Sequence, residues 1–234
     1  MTDSRGSTGT TVSYASNGGT SEGYLARPEL GSGPGVIVIQ EWWGLVPHIE
    51  ALARRFADAG FVALAPDLYH GVRTTEPDEA GKLMMGLAMD SAAQDIAGAA
   101  EYLAAQDQVT GRIGAVGFCM GGSLALWSAT LSDRVAATVG FYPAVPWERM
   151  RPEWNSYAGK AALIHCSEAD GTSAADGIQQ ARASIEAAGG SCVLHDYPGT
   201  QHAFFNDERP EVYDASASAT AWARTLEFFR ANLA

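Results

Sequence analysis

Positive charge is scarce in this 234-residue chain: 15 Lys and Arg stand against 27 Asp and Glu, for a net charge of −12. Such a surface would repel a polyanion over most of its area, which argues against nucleic acid and anionic membrane as partners. An anionic substrate would have to meet a local positive site. Cysteine is scarcer still. Cys119, Cys166 and Cys192 are the only three, without Cys-x-x-Cys spacing, a pattern that excludes a disulfide framework or zinc site and fits a reducing compartment. No apolar run approaches the roughly 18 residues a membrane span requires. Met1 to Thr10 is polar and lacks the basic start and apolar core of a signal peptide. The cytoplasm is therefore the expected location. No His-Glu-x-x-His or other ligand-spaced cluster occurs, so neither a metal nor a cofactor is expected. Nothing in the pattern specifies an oligomeric state.

What the chain does have is an ordinary globular balance, 47% hydrophobic and 18% charged, enough to bury a large core. With no linker, repeat or low-complexity stretch in its body, it reads as a flexible segment over residues 1–10 and one domain over 11–234. Thr11 to Tyr14 and Gly23 to Ala26 flank a Gly/Asn/Ser turn, which predicts a short antiparallel hairpin. Apolar runs then recur at Val36 to Ile39, Phe61 to Ala65, Ile113 to Phe118, Val135 to Phe141, Ala161 to His165 and Cys192 to Tyr197. Stretches of helical period separate most of them, and that alternation predicts an α/β fold, a mainly parallel sheet with helices on both faces. The expected helices include His48 to Ala59, one opened by a Ser91/Gln94 capping box and running to about Ala105, Ser123 to Leu131, Ser173 to Ala188, and a last one opened by Pro210.

The chemistry gathers at Gly117-Phe-Cys-Met-Gly-Gly122, which follows a strand and precedes an apolar helix. That context is the one a nucleophile elbow requires: a turn so tight strains the nucleophile's backbone and leaves no room for side chains on either side. A helix N-terminus there stabilises an anion and offers the Met120 N–H to an oxyanion. A buried packing cysteine satisfies the motif about equally well, so the choice rests on partners. In this fold class the acid and then the base follow the nucleophile, each on a loop after a strand. Asp170 follows the strand Ala161 to His165, and His202 lies in Pro198-Gly-Thr-Gln-His202 after the strand Cys192 to Tyr197. Glu168 and Asp176 are alternative acids, one nearer the strand end and one inside the next helix. His165 and His195 lie within strands as core residues, His48 and His70 read as cap and rim, and Cys166 and Cys192 read as packing thiols.

Taken together, these pieces make the chain resemble the dienelactone hydrolase family, the carboxymethylenebutenolidases, within the α/β-hydrolase superfamily. The resemblance runs from Gly23-Tyr-Leu-Ala-Arg-Pro28 to the last helix and rests on Gln40-Glu41-Trp-Trp-Gly44, Ala65-Pro-Asp-Leu-Tyr69, Gly117 to Gly122 and His202-Ala-Phe-Phe-Asn206. It implies an α/β-hydrolase fold, a Cys119-Asp170-His202 triad acting on activated esters or enol lactones, and a Glu41 that contacts the resting cysteine and helps form the thiolate. It also places a second oxyanion donor at the Trp42 N–H. The family holds a substrate carboxylate with two arginines, one before the middle helices and one shortly after the histidine. Here the position four after His202 is Asn206, leaving Arg209 and Arg73 as the candidate anchors. Trp43, Tyr142, Trp147 and Phe204 are further candidates for a small-molecule pocket, with core packing the alternative for such large aromatics. Two other functions stay open: a non-catalytic ligand-binding relative, and a thiol redox protein, which would lack a nearby resolving cysteine.

Overall fold

The computed structural model describes residues 7–16, 18–29, 31–144 and 147–234, with only the backbone at 172–174. Asn17 of the expected turn and residues 1–6 of the expected flexible segment lie outside the described residues. The strands are β1 Gly9–Ser16, β2 Gly19–Ala26, β3 Gly33–Ile39, β4 Val62–Pro66, β5 Val109–Phe118, β6 Val135–Phe141, β7 Ala161–Ser167 and β8 Ser191–Tyr197. They form one sheet in the order β1-β2-β4-β3-β5-β6-β7-β8. β1 pairs with β2 and β2 with β4 antiparallel, while every pairing from β4 to β8 is parallel. The carboxyl ends of β3 to β8 therefore share one edge, where an α/β protein of this kind builds its sites.

The helices are α1 Pro47–Asp58, α2 Pro77–Gly86, α3 Met89–Ala104, α4 Met120–Leu131, α5 Gly171–Ala187 and α6 Ala215–Leu233. Two core layers result, as the apolar strand runs require. Ile49, Phe56, Phe229 and Leu233 of α1 and α6 pack with Val36, Val116 and Val139 on one face, and Ile96, Leu124, Ile178 and Ile185 of α3, α4 and α5 pack with Ile37, Ile39 and Ile164 on the other. α4 is buried nearly all round, consistent with its lack of a polar face. No helix among the described residues is long and apolar enough to cross a membrane.

Four details differ from the sequence expectations. Gly9 and Thr10, placed in the segment expected to be flexible, are the first residues of β1 and pair with Ala26 and Leu25. α3 begins at Met89, so Ser91 stands inside its first turn rather than at its cap. α6 begins at Ala215, capped by the Asp214 carboxylate on the Ala217 N–H, because the chain after Pro210 is still occupied by turns closing on Arg209. α2, with Pro77 at its start, went unanticipated; only Ala80 of it is buried, so it carries almost no apolar stripe to read.

The glycines around Cys119 are set by close approach. A Cβ on Gly117 would overlap the carbonyl of Gly121, and one on Gly121 would overlap the carbonyl of Gln40 at the end of β3. Both obstacles are backbone and cannot swing aside. Gly121→Ala is expected to cost about 3 kcal/mol, read as a fall in the urea midpoint; an unchanged midpoint would mean that α4 can slide off β3.

Candidate active site

Cys119 is the single residue between β5 and α4, and its backbone is left-handed, at φ 54° and ψ −121°. For a residue with a Cβ this stores on the order of 1–3 kcal/mol of strain. Neighbouring backbone holds it there. The Cys119 N–H donates to the Phe141 carbonyl (3.1 Å), and the Cys119 carbonyl accepts from Gly122 (2.9 Å) and Ala144 (3.1 Å). Met120 is the first residue of α4, where an N–H has no acceptor within the helix. Trp42 and Trp43 follow Glu41 beyond the end of β3, ring against ring at 4.9 Å and half-buried.

His202 and Asp170 meet as the sequence order requires. Their Nδ1 and Oδ1 atoms lie 2.5 Å apart, the ring N–H donating to the carboxylate. The Ser167 hydroxyl donates to the other Asp170 oxygen. The turn after β7 is tied to the loop after β8 twice more, by the Gly199 N–H on the Glu168 carboxylate and the Ala169 N–H on the Thr200 carbonyl. Glu168 thus secures the loop on which His202 rides, while Asp170 reaches the imidazole. Burial acts to lower the His202 pKa, but hydrogen bonds to Asp170 and Cys119 and the negative charge on both outweigh it and push the value up to about 10.

Glu41 is buried, and the Asn206 amide donates to it at 3.0 Å. Burial raises its pKa, and the Asn206 hydrogen bond and the charges of His202 and Arg209 only partly offset this. The residue that stands where the resemblance leads one to expect an arginine therefore serves the glutamate, a role that nothing in the linear pattern signalled. Tyr142, also left-handed at φ 36°, sits against the His202 ring at 5.0 Å with its hydroxyl buried and unpartnered among the described residues. Its pKa is pushed well up, first by burial and then by the negative charges of Glu41, Cys119 and Asp170. Tyr69, which the sequence motif named without a role, has its hydroxyl 3.6 Å from the Met120 sulfur, and burial followed by the Cys119 charge raises its pKa.

The other candidates scatter. Phe204 has no exposed surface and packs between Tyr142 and Tyr197, so it supports the site from behind. Arg209 pairs with Glu211 (3.0 Å) and shares a cavity of about 610 Å³ with Trp43, His48 and Asn206. Arg73 lines a separate cavity with Glu22, Glu50 and Asp67. His165 is a core residue, bonded to the Tyr197 and Thr225 hydroxyls, with its pKa driven well down by burial. Burial pushes the thiols of Cys166 and Cys192 up to about 12, which suits packing residues.

A family model described as "Dienelactone hydrolase family" matches residues 21–233. The chain is 34% identical to "Protein usf" of Aquifex pyrophilus over 96% of its own length and 99% of the relative's. It is 30% identical to a "Putative carboxymethylenebutenolidase" of Aquifex aeolicus, again over 96% and 99%. The crystal structure titled "Putative Dienelactone Hydrolase" from Klebsiella pneumoniae superposes with a TM-score of 0.81 at 26% identity, covering 95% of this chain and 99% of that one.

The Asn206 bond to Glu41 has a testable sign. A carboxyl whose folded pKa lies above its unfolded value contributes stability that is present below the unfolded pKa and lost as pH rises through the folded pKa. Asn206 holds the Glu41 pKa down, so removing it lifts the value further. Asn206→Leu should lower the unfolding free energy by about 2 kcal/mol at pH 8 and by much less at pH 4, measured as urea midpoints; an equal loss at both pH values would assign the effect to packing alone.

Proposed function

The chain belongs to the dienelactone hydrolase family, and from that premise we propose that it hydrolyses activated carboxylic esters, enol lactones among them, through a thioester on Cys119. One observation carries the reading. Cys119, held in a strained turn at a helix N-terminus, interacts electrostatically with His202, a histidine that a carboxylate orients.

The steps follow from charge. With a proton resident on His202, the sulfur attacks the ester carbonyl as thiolate, and the new C–S bond moves the carbonyl electron pair onto oxygen. The N–H groups of Met120 and Trp42 receive that oxyanion. His202 then gives its proton to the departing oxygen as the C–O bond breaks, leaving a thioester and a neutral imidazole. Water attacks the thioester while His202 takes its proton, and the thiolate leaves to restore the starting pair. Asp170 keeps the imidazole in its orientation throughout. Glu41, whose pKa burial raises, in protonated form removes a like charge that would oppose the thiolate. Sulfur narrows the substrates. A thiolate leaves the tetrahedral intermediate more readily than an alkoxide, so a plain alkyl ester reverts, whereas an enol ester or enol lactone expels a stabilised enolate.

The acidic surface supports a small-molecule substrate over nucleic acid or membrane, and the free cysteines support a reducing location such as the cytoplasm. Cys119→Ala should lower kcat/KM on p-nitrophenyl acetate by about a thousandfold or more, and His202→Ala should trap an acyl group on Cys119 by mass spectrometry; a burst that survives in Cys119→Ala would sink the thioester. Asp170→Asn removes a bond that raises the His202 pKa, so the alkaline limb of the pH–rate profile should move down from about pH 10 toward the ordinary histidine range. A limb that stays in place would detach it from His202.

A further inference from the structure

Every methionine after Met1 lines the same cavity. Met84, Met85, Met89, Met120 and Met150, from four separate stretches of chain, surround a space of about 160 Å³ beside the N-terminus of α4. Thioether side chains are the ones that fill irregular gaps, yet here five of them leave one open. Its frame is fixed even though its lining is pliant: the Arg149 guanidinium donates to the carbonyls of Met84 (3.1 Å), Met85 (3.2 Å) and Leu87 (3.0 Å), which pins the junction of α2 and α3. The buried Ser123 hydroxyl, also on the wall, finds no partner among the described residues. None of these residues has a part in the proposed chemistry except Met120, through its backbone.

The cavity adjoins the backbone of the elbow. Met120 follows Cys119 directly, and Ala144, also on the wall, donates its N–H to the Cys119 carbonyl at 3.1 Å. It also lies across the sheet from the imidazole. Met120 and Met150 belong to the core layer of α3 and α4, whereas Ala203 and Phe204, next to His202, belong to the layer of α1 and α6, against which Cys119 also packs. Three substituents leave the tetrahedral carbon besides sulfur. The oxyanion points at the Met120 N–H, and the departing oxygen must face His202 to take its proton. The acyl chain is left to run over the edge of β5 and β6 toward the methionines.

We propose that the methionine-lined cavity is the acyl subsite and takes a flexible, unbranched apolar chain of about six carbons, the size class that a cavity near 150 Å³ admits. The assignment rests on Cys119 being the nucleophile.

The test is a series of p-nitrophenyl esters from acetyl to decanoyl. For the wild type, kcat/KM should climb up to roughly fourfold per methylene, peak near hexanoyl and fall by decanoyl. Ser123→Leu fills the cavity and should cut the hexanoyl-to-acetyl ratio by about tenfold. Met150→Ala enlarges it and should move the optimum to longer chains, and it carries the test if the leucine variant does not fold. A flat wild-type profile, or ratios unchanged in the folded variants, overturns the subsite while Cys119-dependent acetate turnover leaves the thioester reading intact. A length dependence that follows the alcohol instead of the acyl chain overturns it too. Absence of turnover on every ester overturns both.

Discussion

Between β5 and α4 the chain reverses through one residue, and it can do so only because two glycines let the helix N-terminus settle against the carbonyl oxygens that end β3. The rest of the site follows from that approach. Cys119 takes a left-handed backbone that costs on the order of 1–3 kcal/mol and is held there by bonds to Phe141, Gly122 and Ala144. The same closeness brings the strand end bearing Glu41 and the tryptophan pair beside the elbow. It also leaves the Met120 N–H at the helix start, where a developing anion can reach it.

A second constraint acts at the other side of the sulfur. The turns after β7 and β8 are stitched together by Glu168, Ala169 and Asp170, so the imidazole is carried on a frame rather than on a free loop. This frame lets an acidic chain keep a cation in a half-buried place. Interactions with Asp170 and Cys119, hydrogen bonding first, outweigh the desolvation of His202. Glu41 stands where a third negative charge would be costly, and burial holds it toward its neutral form, with Asn206 satisfying one of its oxygens.

Much of this was legible in the sequence. The parallel strands could be read because strands buried on both faces have nearly continuous apolar runs, and Val135 to Phe141 was delimited to the residue for that reason. Helix starts were harder. The true cap of α6 is Asp214, four residues beyond Pro210, because the intervening turns carry no periodic signal. The order Cys119, Asp170, His202 was legible because each residue follows its own apolar run. Asn206 was visible only as a missing arginine, since its role depends on Glu41, which lies 165 positions away.

The sequence by itself determined the alternation of strands and helices, the elbow glycines, the order of Cys119, Asp170 and His202 and the acidic surface, because each is written in local pattern or in composition. Only the tertiary structure decided which side chains meet. It put Glu168 on Gly199 and Asp170 on His202, although the two acids are two residues apart and either suited the linear pattern. It separated Arg73 from Arg209 and sank Phe204 into the core. It also gathered methionines from four stretches of chain around one space beside the elbow at Cys119. Such neighbours are set by strand order and by how closely helices lie on a sheet, and neither is encoded at any single position.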